Sequence, residues 1–175
     1  MIVETNLGLS SNTPIRGRRF ESHEMVYHHV QRLIIQGALT PPLDWIHIDG
    51  HDDIGGLSTS LDITPANYLL HCIKEGWIAN LIFSLPDGYG DLSAYYVKDT
   101  PLRIEVDGHT CRICHQDTET FITRRTPDYL YFVLSPSYSP LEIDTVFNEC
   151  ERYIINEGEQ CVAGYPPQGV GSPER

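Results

Sequence analysis

Leu43-Asp44-Trp45-Ile46-His47-Ile48-Asp49-Gly50-His51-Asp52-Asp53 begins as a run of β-formers and ends in a polar segment crowded with carboxylates. Tryptophan and isoleucine fit a pleated, buried surface and Gly50 interrupts it, so a strand is expected over 43–49. Upstream, Thr40-Pro41-Pro42 breaks the chain. Before that break a helix is expected over about 22–36, with Ser22 as N-cap, Val26, Val30, Leu33 and Ile34 at helical spacing, and Gly37 as the stop. Downstream, a loop with Gly55-Gly56 leads to Thr64-Pro65, an N-cap followed by proline at the first helical position. Ala66, Leu69, Leu70 and Ile73 give this second helix an apolar face, Gly76 ends it, and 77–85 read as another buried strand. Strand, helix, strand implies a right-handed parallel crossover and hence an α/β domain with a mainly parallel sheet.

Further along, 102–106 and 109–114 flank Asp107-Gly108, a strong hairpin signal, so a β-hairpin is expected to be inserted around 102–114. Residues 129–134 form a last core strand, and after Pro140 a helix carries Ile143, Val146, Phe147, Cys150 and Ile154 on one face. The α/β domain thus spans 21–158. Residues 1–20 lack clear periodicity and stay unassigned, although Ile2-Val3-Glu4-Thr5 has the character of an edge strand. Residues 159–175, rich in proline and glycine, read as a flexible tail. At 175 residues the chain suits one domain.

Twenty-four acidic residues against 12 basic give a formal net charge of −12. That balance disfavours nucleic acid and anionic membranes; a metal ion, a basic peptide or another cationic partner fits it better, and a merely solvated acidic surface fits it equally. No stretch approaches the roughly 18 unbroken apolar residues of a membrane span. The N-terminal segment has its basic residues after its apolar ones, the reverse of a signal peptide, so a cytoplasmic location is expected. Five cysteines without such a signal fit reduced thiols rather than a disulfide framework. Composition leaves self-association open.

Ligands of parallel α/β sheets gather at the carboxyl ends of the strands, where Asp49 is expected. If the backbone stays extended, Asp49, His51 and Asp53 point the same way and two carboxylates meet an imidazole. Oxygen and imidazole ligands suit Mn²⁺, Fe²⁺, Zn²⁺ or Ni²⁺. The same residues also fit a plainer pattern, in which Asp49 caps a turn, His51 is exposed and Asp52-Asp53 cap the next loop.

The run Trp45 to Asp53 resembles the D-A-H-x-D strand end of the arginase, agmatinase and deacetylase superfamily of metallohydrolases. Ser22-His23-Glu24-Met25-Val26-Tyr27 resembles the segment that supplies that family's first metal-binding histidine. Residues 63–70, with Gly76-Trp77 and Leu85-Pro86, resemble the atypical peptide arginases, which convert arginine to ornithine within ribosomally made peptides. Residues 134–140 are similar to the family's closing strand and loop. The resemblance implies a three-layer, arginase-like sandwich with His23, Asp49, His51 and Asp53 as metal ligands and Asp49 bridging two Mn²⁺ ions. It further implies Asp53 or a neighbour as the proton relay, Asn67 as a substrate contact, and an arginine-containing peptide or other guanidino compound as substrate. The products would be ornithine and urea.

The chain departs from this pattern at one point. The family's second aspartate pair, D-x-D on a later strand, has no counterpart: Glu105-Val106-Asp107 has the spacing, but Asp107-Gly108 serves as the hairpin turn. The alternative function is therefore an arginase-like protein that binds a partner or basic peptide without hydrolysing it. Elsewhere, His109-x-Cys111-x-x-Cys114-His115 has zinc-type ligands but lacks a second pair, and packing is the expected role of Cys111 and Cys114. His28-His29 and His71-Cys72 are expected to pack within helices.

Overall fold

The computed structural model describes residues 2–5, 15–55, 61–84, 100–115, 128–133 and 154–156. Eight strands and two helices are found there: β1 (Ile2–Thr5), β2 (Ile15–Phe20), α1 (Glu24–Ile35), β3 (Leu43–Ile48), α2 (Tyr68–Lys74), β4 (Ile78–Ser84), β5 (Leu102–Val106), β6 (His109–His115), β7 (Tyr129–Val133) and β8 (Ile154–Asn156). The strands form one sheet in the order β5-β6-β4-β3-β1-β7-β2-β8. Every neighbouring pair is parallel except β5 and β6, the hairpin that carries the sheet's one antiparallel strand to its edge. This is a mixed α/β fold with a mainly parallel sheet. No helix among the described residues is long and apolar enough to cross a membrane.

Strands β3 and β7 are buried on both faces, as parallel strands usually are. Trp45, Leu81, Tyr129, Tyr131 and Val133 join one core cluster with α1 and α2. Ile46, Ile48, Leu130 and Phe132 alternate with them along the strands and are buried as well. Helix α1 contributes Val26, Tyr27, Val30 and Leu33, a stripe at helical spacing, and Tyr27 stacks on Trp77 with ring centroids 4.8 Å apart. The hairpin turns where expected: Asp107 and Gly108 both have positive φ, 52° and 81°, the pairing of a tight primed turn.

Several elements differ from the sequence-based expectation. Strand β1 is central rather than at an edge, paired with β3 on one side and β7 on the other. Strand β2, Ile-Arg-Gly-Arg-Arg-Phe, lies in the stretch without periodicity and is fixed by pairing with β7 and β8. Ile154 was expected on the last helix; it opens β8 instead, where two adjacent isoleucines pair with β2, and the rest of that helix and the tail lie outside the described residues. Ser22 does not cap α1 through its side chain. Its hydroxyl donates to the Glu24 carboxylate, and His23 takes the capping position in helical conformation. Helix α2 starts at Tyr68 rather than at Thr64, because the Asn67 side chain accepts the Thr64 N–H at 2.7 Å and holds 64–67 as a turn.

Two features make the fold testable. His29, on α1, shares a 3.0 Å hydrogen bond with the Tyr131 hydroxyl; burial, with Arg32 and Arg18 nearby, pushes its pKa down from 6.5 to about 4. The folded chain therefore resists a proton that the unfolded chain accepts. The stability involved is complete above pH 6.5 and is lost as pH falls towards about 4. The urea midpoint should drop between pH 7 and pH 5, and His29→Leu should shrink that difference. At Gly76, with φ of 70°, a Cβ would lie 2.6 Å from Nδ1 of His109. Gly76→Ala should lower stability by about 1–2 kcal/mol, from backbone and contact together. Adding His109→Ala should recover part of that in chemical denaturation.

Candidate metal centre

Alternation along β3 puts Leu43, Trp45 and His47 on the face covered by the helices, and Asp49 continues the row just past the strand. Trp45 and His47 are fully buried, so a polar residue interrupts an apolar row immediately before the site. The Asp49 N–H is held by the Ser84 carbonyl at 3.2 Å, tying the strand end to β4. From there the chain bends instead of staying extended. Asp53 adopts a left-handed backbone, φ 49°, which aspartate tolerates better than most residues, and its carbonyl accepts the Leu69 N–H at 3.3 Å. His23 reaches the same place from the start of α1, which follows β2.

Asp49, Asp53 and His23 come together through these three elements. Nε2 of His23 lies 3.4 Å from Oδ2 of Asp49, and its Nδ1 lies 3.3 Å from Oδ2 of Asp53. One ligand atom from each residue falls within 4.8 Å of the others. Among the described residues this is the one group of three or more histidine, cysteine or acidic side chains so arranged. The site opens into a pocket of about 240 Å³ lined also by His51, Asp52, Gly55, Pro65 and Ala66.

The bend changes the part played by His51. Its side chain is 57% exposed, and its Nδ1 lies 3.2 Å from Oδ1 of Asp49, outside the three-residue group. The His51 N–H also donates to that oxygen, at 2.9 Å, while Asp52 accepts the Ile54 N–H at 3.2 Å. Asp49 therefore closes a turn with one oxygen and meets His23 with the other. Asn67, buried, spends its amide locally: the oxygen accepts from Thr64 and the nitrogen donates to the Asp62 carbonyl at 2.9 Å. It is not among the pocket's lining residues.

Sequence reasoning overlooked His47. Its Nε2 lies 3.3 Å from Oδ2 of Asp53, and its Nδ1 lies 3.3 Å from the Tyr68 hydroxyl. The available signal was position: His47 stands two residues before Asp49 in a row otherwise apolar, where an imidazole needs partners for both nitrogens. The zinc-type residues of β6 do not cluster. Cys111 is fully buried and its thiol is pushed up to about 12, chiefly by burial, which makes it an inert packing group.

The donor set fits a divalent cation. Two carboxylates offset its charge, an imidazole completes a nitrogen–oxygen set, and three protein ligands leave positions open, as catalytic rather than structural sites do. Oδ2 of Asp53 is buried and accepts no hydrogen bond, although two imidazole nitrogens stand 3.3 Å away. A buried carboxylate oxygen in that state is expensive without a cation. His23, Asp49 and Asp53 can thus hold a metal ion.

No family model, curated protein or solved structure matches this chain. The geometry itself is what bears on function. Asp53→Asn keeps a residue that tolerates the left-handed backbone and should weaken Mn²⁺ binding by more than ~100-fold, beyond the usual effect of outer-shell changes. His51→Ala should weaken it far less. Titration calorimetry on the two variants measures both.

Proposed function

We propose that the chain is a metal-dependent hydrolase of the ureohydrolase type, which converts arginine within a peptide to ornithine and urea on a three-layer, arginase-like sandwich. One observation carries this reading: His23, Asp49 and Asp53 meet at the carboxyl ends of parallel strands, with a buried Asp53 oxygen aimed into the group. Burial of β3 and β7 on both faces supports the layered architecture. The ligand types suit Mn²⁺, with other divalent metals as alternatives.

The ion, when bound, supplies Lewis acidity and brings the pKa of water towards neutrality. Everything else falls to the chain. Asp49, Asp52 and Asp53 give the pocket a negative lining, which attracts a cationic guanidinium and agrees with the net charge of −12. The exposed His51 at the rim, next to Asp49, is placed to exchange protons with solvent. Pro65 and Ala66 leave one wall apolar, suited to the methylene stem of an arginine side chain.

A second reading, binding of a basic peptide without hydrolysis, is favoured by one fact. The described residues contain a single group of three such ligands. Incubation of the Mn²⁺-loaded protein with an arginine-containing peptide separates the two readings. Hydrolysis predicts free urea and ornithine in the peptide by mass spectrometry, both lost in Asp53→Asn. Bound metal and bound peptide without urea would sink the enzyme and leave the binding protein.

A further inference from the structure

His47 is fully buried, and each of its nitrogens is spent on a group that belongs to the site or supports it. Nε2 lies 3.1 Å from the carbonyl oxygen of His51 and 3.3 Å from Oδ2 of Asp53. Nδ1 lies 3.3 Å from the hydroxyl of Tyr68. A carbonyl only accepts, so Nε2 carries the proton, Nδ1 accepts, and the Tyr68 hydroxyl donates to it. The polarity of the chain of contacts therefore runs one way, from Tyr68 through His47 to the loop.

That loop needs support. It leaves β3 at Asp49, bends at once, and returns Asp53 in a left-handed conformation that a non-glycine residue keeps only when its surroundings enforce it. Strand β4 grips its start through the Asp49 N–H, and α2 grips its end through the Leu69 N–H on the Asp53 carbonyl. Between these points the contact from below is His47. Its ring is fixed edge-on against Phe83 at 5.5 Å and against Tyr68 at 6.3 Å, so it stands wedged between β4 and α2.

We propose that His47, backed by Tyr68, is the positioning residue of the metal centre: its Nε2–H holds the His51 carbonyl while the same ring edge stands against the Asp53 carboxylate, so that Asp49 and Asp53 face His23 together. A phenylalanine would fill the same space. An imidazole there is accounted for by hydrogen bonds at both nitrogens, to the His51 carbonyl and from the Tyr68 hydroxyl, because a buried ring nitrogen without a partner is unfavourable. The inference rests on the metal-binding reading of the site and not on hydrolysis.

Its test is Mn²⁺ affinity and the apo thermal midpoint, measured together on the wild-type chain and on His47→Phe, His47→Gln and Tyr68→Phe. His47→Phe should weaken Mn²⁺ binding about ten- to a hundred-fold, the usual range for residues that orient metal ligands. His47→Gln, which restores an N–H towards the loop, should recover part of that. Tyr68→Phe removes one hydroxyl, should keep the apo midpoint near the wild-type value, and should weaken binding by a smaller factor; it carries the test if His47→Phe does not fold. The electron paramagnetic resonance spectrum of bound Mn²⁺ should change in both His47 variants, which a purely space-filling role would not cause. Wild-type affinity and spectrum in Tyr68→Phe and His47→Gln would overturn the proposal. A wild-type chain that takes up no Mn²⁺ would overturn the metal centre itself, and the positioning role with it.

Discussion

Two carboxylates crowded around one imidazole at the mouth of a buried strand set the terms for the rest of the molecule. Oδ2 of Asp53 has a nitrogen of His23 and a nitrogen of His47 each 3.3 Å away, in a residue only 7% exposed. Strand alternation delivers one of the two carboxylates, Asp49, to that place. The row Leu43, Trp45, His47, Asp49 passes from apolar core to site within one strand, and the residues between face the other side of the sheet. A shift of β3 by one residue would exchange these faces, so the pairing with β1 and β4 that fixes the register also fixes the site.

Two histidine–tyrosine hydrogen bonds, His29–Tyr131 and His47–Tyr68, lie in opposite electrostatic surroundings. His29 and Tyr131 lie among Phe20, Arg18 and Arg32, where burial and cations hold the imidazole neutral. His47 and Tyr68 lie beneath carboxylates. The basic residues of β2 and α1 thus sit on the arm of the sheet that holds β7 and β2, and the acidic loop sits over β3.

Much of the fold was legible because local chemistry and tertiary demand agree. Strands β3, β4 and β7 are runs of β-formers that the sheet buries, Gly37 and Gly76 stop helices with positive φ, and Asp107-Gly108 can adopt little other than a hairpin turn. Strand β2 was opaque for the opposite reason: three arginines and a glycine in six residues carry no strand signal, and their conformation comes from β7 and β8. Ile154 reads equally as a helical or a strand residue, and only its partner strand decides. At the site, the residue types of Asp49 and Asp53 announce themselves, whereas His23 enters only through the resemblance. The bend that sets His51 outward does not announce itself, since it depends on Asp53 adopting a left-handed backbone. The two readings of Asp49, turn cap and ligand, also proved compatible, because a carboxylate has two oxygens and each takes one task.

Strand β1 sits in the middle of the sheet, and one of its two neighbours is β7, most of the chain away. During synthesis, the segment Ile2–Thr5 leaves the ribosome long before Tyr129–Val133 exists to pair with it. One side of β1, and of any partial sheet it builds with β3 and β4, therefore waits as an open template. The nascent chain passes through a stage in which unpaired backbone edges are presented to other chains, and yield of native protein becomes a matter of translation speed and of what shields that edge meanwhile.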